Sequence, residues 1–239
     1  MEREVLDAQR EQWQESFREM PEMFGSEASP PARKAAELFK REGKTTILEL
    51  GCGQGRDTLW FARNGFKVSA LDYSAQGLEA IDAQARKLKL SRLIVSHMHD
   101  VRTPLPFSDE TFDACYSHML FCMALTSAEL GFLSEEIRRV LKPGALSVYT
   151  VRNTTDPHYR TGIHRGEDMW EIGGGFIVHF FSRGKVERLA EGYEIVGVEE
   201  FEEGEVRKRL FAVTLRKPGL SIRQSNTQDV MPDSIRHPG

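Results

Sequence analysis

Two short stretches of this sequence combine residue types suited to holding a small ligand by its polar edges. Glu49-Leu50-Gly51-Cys52-Gly53-Gln54-Gly55 puts three glycines into five residues, between an apolar run and an amphipathic one. Glycines permit positive φ and let the backbone approach a ligand that side chains would block. Backbone N–H groups at a helix start can then hold polar or anionic ligand atoms. Asp72 ends a second apolar run, 17 residues past Gly55. A carboxylate there can accept from two vicinal hydroxyls at once, and the adjacent Tyr73 offers a flat aromatic face.

The loop is not a dinucleotide fingerprint. That pattern needs a small third residue for close helix–strand packing, and counting from Gly51 the position holds Arg56. Nor is it a phosphate-binding Walker loop, since no Gly-Lys-Ser/Thr follows.

The positioning elements come from periodicity. Residues 45–50, 66–72, SRLIVSH, 111–117 and 145–151 read as strands. RDTLWFARN and AQGLEAIDAQARKL read as helices, the second capped by Ser74. A helix with a capping box from Thr126 to Glu129 is stopped by Lys142-Pro143-Gly144. FIVHFF, a helix capped near Ser182, and a hairpin turning at Glu203-Gly204 close the chain. Upstream, residues 5–22 carry Val5, Trp13, Phe17 and Met20 on an amphipathic helix, and Pro31 opens PARKAAELFKRE. Strand–helix alternation calls for an α/β fold, a mostly parallel sheet with helices on both faces, ended by the antiparallel hairpin.

Taken in order, the loop, Asp72, His99-Asp100-Val101, the run Pro104-Leu105-Pro106-Phe107 to Thr111-Phe112-Asp113, and Lys142-Pro143-Gly144 resemble the class I S-adenosylmethionine-dependent methyltransferases of small-molecule type. The resemblance spans residues 45–151 and implies a Rossmann-like sheet of seven strands. It implies S-adenosylmethionine as cofactor, bound by Glu49, Gly51, Cys52, Gly53, Gly55, Asp72, Tyr73, Asp100, Val101 and Ser117. Glu49 then faces the methionyl part, Asp72 the ribose, Tyr73 and Asp100 the adenine, and Val101 gives a backbone N–H. It also implies that residues 1–43 form a helical lid over a cofactor-binding domain at 44–217. The alternative is a sensor or assembly subunit that binds the cofactor without transfer.

Methyl transfer asks the protein chiefly to align a nucleophile and exclude water, because the leaving group comes with the cofactor. Candidate acceptor-facing residues follow strands four and five, where ligands collect in open α/β sheets. His118 and Tyr159 are the expected catalytic pair. Residues 152–181, rich in His, Tyr, Asp and Glu, read as an inserted substrate cover favouring a small polar acceptor. Asp156-Pro157-His158-Tyr159 resembles the Asp-Pro-Pro-Tyr motif of DNA amino-methyltransferases, but it carries His at the third position and follows strand five, not strand four. Cys52, Cys115 and Cys122 are too few for a disulfide framework and lack metal-ligand spacing, so no metal is expected.

A net charge of −4 over 239 residues disfavours nucleic acid and anionic membrane as partners. The charged N-terminal stretch and the lack of long apolar runs point to a cytoplasmic protein. Residues 218–239, polar and aperiodic, read as a disordered tail.

Overall fold

Local sequence signals place most of the elements. In the computed structural model, which describes residues 3–219, α1 (Arg3–Glu19) leads into α2 (Pro30–Arg41), whose N-cap Ser29 accepts from the Ala32 N–H. Then follow β1 (Thr46–Leu50), α3 (Arg56–Arg63), β2 (Lys67–Asp72), α4 (Ala75–Lys87), β3 (Ile94–Met98) and β4 (Phe112–His118). Ser74 caps α4 through the Gly77 N–H. The capping box at Thr126 and Glu129 opens α5 (Ser127–Val140), and β5 (Leu141–Arg152) comes next. The chain closes with α6 (Arg183–Leu189), capped by Ser182, then β9 (Glu194–Glu203) and β10 (Lys208–Arg216). The expected tail at 218–239 lies, apart from its first two residues, outside the described residues.

The central sheet has seven strands in the order β3-β2-β1-β4-β5-β10-β9. Strands β1 to β5 run parallel, and β10 lies antiparallel between β5 and β9. Period-two alternation sends neighbouring residues to opposite faces. On β1, Ile47 joins a core with Phe39, Phe61 and Ile81 of α2, α3 and α4. Leu48 and Leu50 join the other core, with Leu130 and Leu133 of α5 and Val186 of α6.

Three local expectations change. Helix α5 ends at Val140 and the chain enters β5 at once, so Lys142-Pro143-Gly144 does not stop a helix. It forms an irregular start to the strand, where the register steps from Phe112↔Leu141 to Ala114↔Leu146. Helix α1 ends at Glu19, which leaves Met20 45% exposed and off its apolar face. The stretch 152–181 builds a small antiparallel sheet of its own, β6 (Ile163–His164), β7 (Met169–Glu171) and β8 (Ile177–His179).

Candidate cofactor and acceptor site

The glycine loop folds over the carboxyl end of β1. Its start is held by the Gly51 and Cys52 N–H groups, which both donate to the Leu71 carbonyl, at 2.9 and 3.1 Å. Gly55 has φ +86°, and a Cβ there would overlap Ile81 of α4. A Cβ on Gly77 would likewise overlap the Gly53 carbonyl, so this helix glycine lets α4 press against the loop. Sequence reasoning passed over Gly77. An isolated glycine inside a helical pattern was the available signal.

Asp72 is 9% exposed, and each of its oxygens takes one backbone N–H: Gly53 at 2.8 Å and Ser74 at 2.9 Å. Burial raises its pKa, and those backbone donors oppose the rise. Each oxygen keeps a second lone pair, enough for the two hydroxyls of a ribose. Glu49 is 3% exposed, and its Oε2 has no partner. Burial and the Asp57 charge push its pKa well above the usual carboxylate range. A buried carboxylate oxygen without a partner is costly, and a cationic ligand at the loop would relieve that cost. These acceptors therefore fit S-adenosylmethionine, whose ribose offers two hydroxyls and whose methionyl part carries an ammonium and a sulfonium.

Two adjoining cavities share Trp13, Tyr73, Leu120 and Met123. The first reaches from Gly51, Gly53 and Asp72 to His118 and Met119, under Phe17 and Phe24. The second is bounded by Asp100, Val101 and Arg102, with Gln9 and Arg10 of α1 opposite. Of the expected residues, Gly51, Gly53, Asp72, Tyr73, Asp100, Val101 and His118 thus meet around one space. Glu49, Cys52, Gly55 and Ser117 do not line it. Cys52 packs into the core, and the buried Ser117 hydroxyl has no partner.

Asp100 does not present a free carboxylate. Arg102 holds it through Nε at 3.0 and 3.1 Å and through Nη2 at 2.7 Å, and also reaches Asp7 on α1 at 2.5 Å. Burial alone would raise the Asp100 pKa, but Arg102 overrides it and holds the pKa below the ordinary value. The Val101 N–H has no acceptor among the described residues.

Helix α1 roofs both cavities and is clamped from two sides. Below it, Gln54 of the loop donates to the carbonyls of Phe17 (3.3 Å) and Met20 (2.8 Å) and accepts from the Met23 N–H (3.2 Å). Arg56 donates to the Phe24 carbonyl at 3.2 Å. Above it, Gln9 donates to the Gly175 carbonyl and accepts from the Ile177 N–H, and Phe176 packs on Trp13 at 4.7 Å. Asp57 has a different task. It accepts from the Ser29 N–H and hydroxyl and from Tyr116, tying the start of α2 to α3 and β4.

His118 ends β4 at the cavity wall. Its Nδ1 pairs with the Thr150 hydroxyl at 2.8 Å, and its Nε2 lies 3.4 Å from Glu203. Burial acts to raise the Glu203 pKa, but the facing His118 outweighs it and keeps the carboxyl ionised below its ordinary range. Glu203 was expected only as a turn residue; no local pattern ties it to a residue 85 positions away.

Tyr159 is not brought to this space. Its hydroxyl donates to Asp168 at 2.9 Å and its ring packs on Phe180. The neighbouring Asp156 is a buried staple, paired with Arg152 at 3.0 and 2.5 Å and accepting from the Arg209 N–H. No residue of 152–181 lines either cavity. The insertion braces α1 from outside, so the polar groups that suggested a polar acceptor are spent on the insertion's own contacts. Among the described residues no cluster of His, Cys, Asp or Glu could hold a metal ion, and no helix is long and apolar enough to cross a membrane.

Comparison with known proteins agrees with this geometry. Residues 47–144 match the family described as a methyltransferase domain. Demethylmenaquinone methyltransferase of Tropheryma whipplei is 30% identical over 112 residues, 47% of this chain and 44% of that protein. The chain thus spans less than half the length of this relative. A solved methyltransferase of Methanosarcina mazei aligns with a TM-score of 0.69 at 21% identity, over 81% of this chain and 99% of that one. The 1,6-didemethyltoxoflavin-N1-methyltransferase of Burkholderia thailandensis, solved with S-adenosylhomocysteine, aligns at 0.70 and 16% identity over 90% of each chain. Residues 47–144 thus match a methyltransferase domain by sequence, and over most of its length the chain shares the fold of solved S-adenosylmethionine-dependent methyltransferases.

Proposed function

We propose that the protein methylates a small molecule, using S-adenosylmethionine bound between the glycine loop and α1. The observation that carries this reading is the continuous space from Gly51, Gly53 and Asp72 to His118, closed by Trp13 and Phe17. Bound there, the cofactor supplies an electrophilic methyl on a sulfonium. Asp72 accepts from the ribose hydroxyls, and Tyr73 with the Val101 N–H meets the adenine. Glu49 offsets positive charge from beneath the loop. His118 orients the acceptor at the methyl end, and the apolar roof excludes water, as a near-attack alignment requires.

The deciding experiment incubates the protein with methyl-labelled cofactor and fractionated metabolite extracts. Label should pass to a small molecule, and His118→Ala should lower that transfer while S-adenosylhomocysteine affinity stays within about fivefold, since only an orienting contact is lost. Tight binding of the cofactor product with no transfer from any fraction would instead leave a binding protein.

A further inference from the structure

We propose that the methyl acceptor is a flat, largely apolar and uncharged molecule whose one hydrogen-bonding edge faces His118. This rests on the methyl-transfer reading above and adds the acceptor's chemical class.

The argument begins with the walls. Three rings of the N-terminal segment cluster over the cavity, with centroids 5.6 Å apart for Trp13 and Phe17, 6.4 Å for Trp13 and Phe24, and 6.2 Å for Phe17 and Phe24. Met119, Leu120 and Met123 lie on the same cavity. Aromatic rings and thioether sulfurs favour the face or edge of another π-system. Phe24 is 41% exposed, and an exposed ring over an apolar cavity gains by being covered.

Charge narrows the class. The titratable side chains on this cavity are Asp72, Tyr73 and His118. Asp72 already serves Gly53 and Ser74 and faces the ribose position. Arg10 and Arg102 line the neighbouring cavity, and Arg102 is engaged by two carboxylates. On this cavity a carboxylate acceptor would meet only His118, which already faces Glu203, and burying an ion so weakly paired is costly. The insertion, whose polar groups could have received a polar acceptor, contributes nothing to the wall.

His118 sets the polar edge. The Thr150 hydroxyl oxygen accepts from the Met119 N–H at 3.1 Å, and among the described residues its own proton has one acceptor, His118 Nδ1. With Nδ1 taken by that hydroxyl, the ring presents its N–H at Nε2. Glu203 Oε2 lies 3.4 Å from that nitrogen, longer than the usual N–H···O distance, so at the cavity wall the Nε2–H can turn to a ligand atom with a lone pair, such as a hydroxyl or carbonyl oxygen or a ring nitrogen.

Calorimetry on protein saturated with S-adenosylhomocysteine tests this with 2-naphthol and 8-hydroxyquinoline against ethanolamine and acetate. The two flat probes should bind and the two small charged ones should not. Phe24→Ala, at a partly exposed position, should weaken the flat probes roughly threefold or more through the lost ring contact. His118→Leu should weaken them as well, with S-adenosylhomocysteine affinity little changed in both variants. Binding of ethanolamine or acetate in preference, no binding of either flat probe, or flat-probe binding indifferent to both variants overturns the acceptor class and leaves the methyl-transfer reading standing. Failure of S-adenosylhomocysteine itself to bind removes that reading, and the acceptor class with it.

Discussion

Replacing Asp72 by Asn tests the site at its best-defined point. The side chain keeps its shape, but one of its two oxygens becomes an NH2 group. Both oxygens accept a backbone N–H in the folded protein, from Gly53 at 2.8 Å and Ser74 at 2.9 Å. The amide therefore sets a donor against one of two buried donors, and a lost hydrogen bond to a charged group costs about 1.5–3 kcal/mol. For a chain of this length each kcal/mol lowers Tm by roughly 2–4 °C, so the unliganded variant should melt roughly 3–12 °C lower. A ribose that shares the carboxylate loses at least one acceptor as well. The same range of energy weakens S-adenosylhomocysteine roughly 10- to 150-fold. Differential scanning fluorimetry reads the first effect and titration calorimetry, below the variant's melting range, reads the second. An unchanged Tm would show that Asp72 does not anchor the loop. Affinity within about threefold of wild type, a difference below about 1 kcal/mol, would refute its role toward the ribose.

The Glu49 carboxyl has a raised pKa through burial and the Asp57 charge, so it adds stability below its unfolded value near 4.5 and loses that contribution as pH rises through its folded value. Glu49→Gln should therefore gain Tm over unliganded wild type as pH rises, while S-adenosylmethionine stabilises it less; a pH-independent difference in melting curves would contradict this. Gln54→Ala removes three hydrogen bonds, one to Phe17 in the last turn of α1 and two to the segment after it, each worth roughly 0.5–1.5 kcal/mol. Limited proteolysis between residues 3 and 24 should speed up in that variant and slow with S-adenosylhomocysteine in wild type, and equal rates throughout would mean that α1 is not a lid. Asp156→Ala strands the buried Arg152, at about 3–5 kcal/mol, and should lower Tm by roughly 6–20 °C. Its S-adenosylhomocysteine affinity, measured below that Tm, should stay near wild type; a large loss would place the 152–156 staple in the site.

The amino-acid sequence alone determined what depends on neighbours along the chain. The β1–loop–α3 unit, the caps at Ser74, Thr126 and Ser182, and Asp72 at the end of β2 are local, because turn chemistry and side-chain period act over a few residues. The order of these local units was enough to reveal the resemblance to S-adenosylmethionine-dependent methyltransferases, which a methyltransferase-domain match over residues 47–144 bears out. Tertiary structure decided what depends on residues far apart. Arg102 takes the Asp100 carboxylate, and Tyr159 turns to Asp168, because a charged or polar group pairs with whatever packing brings near it. The length and composition of residues 152–181 suggest a cover for the acceptor, yet their sheet buttresses α1 and leaves the wall to Trp13, Phe17 and Phe24. Glu203 meets His118 only because both stand at the same end of the folded sheet, an approach made by packing that no periodicity in the chain encodes.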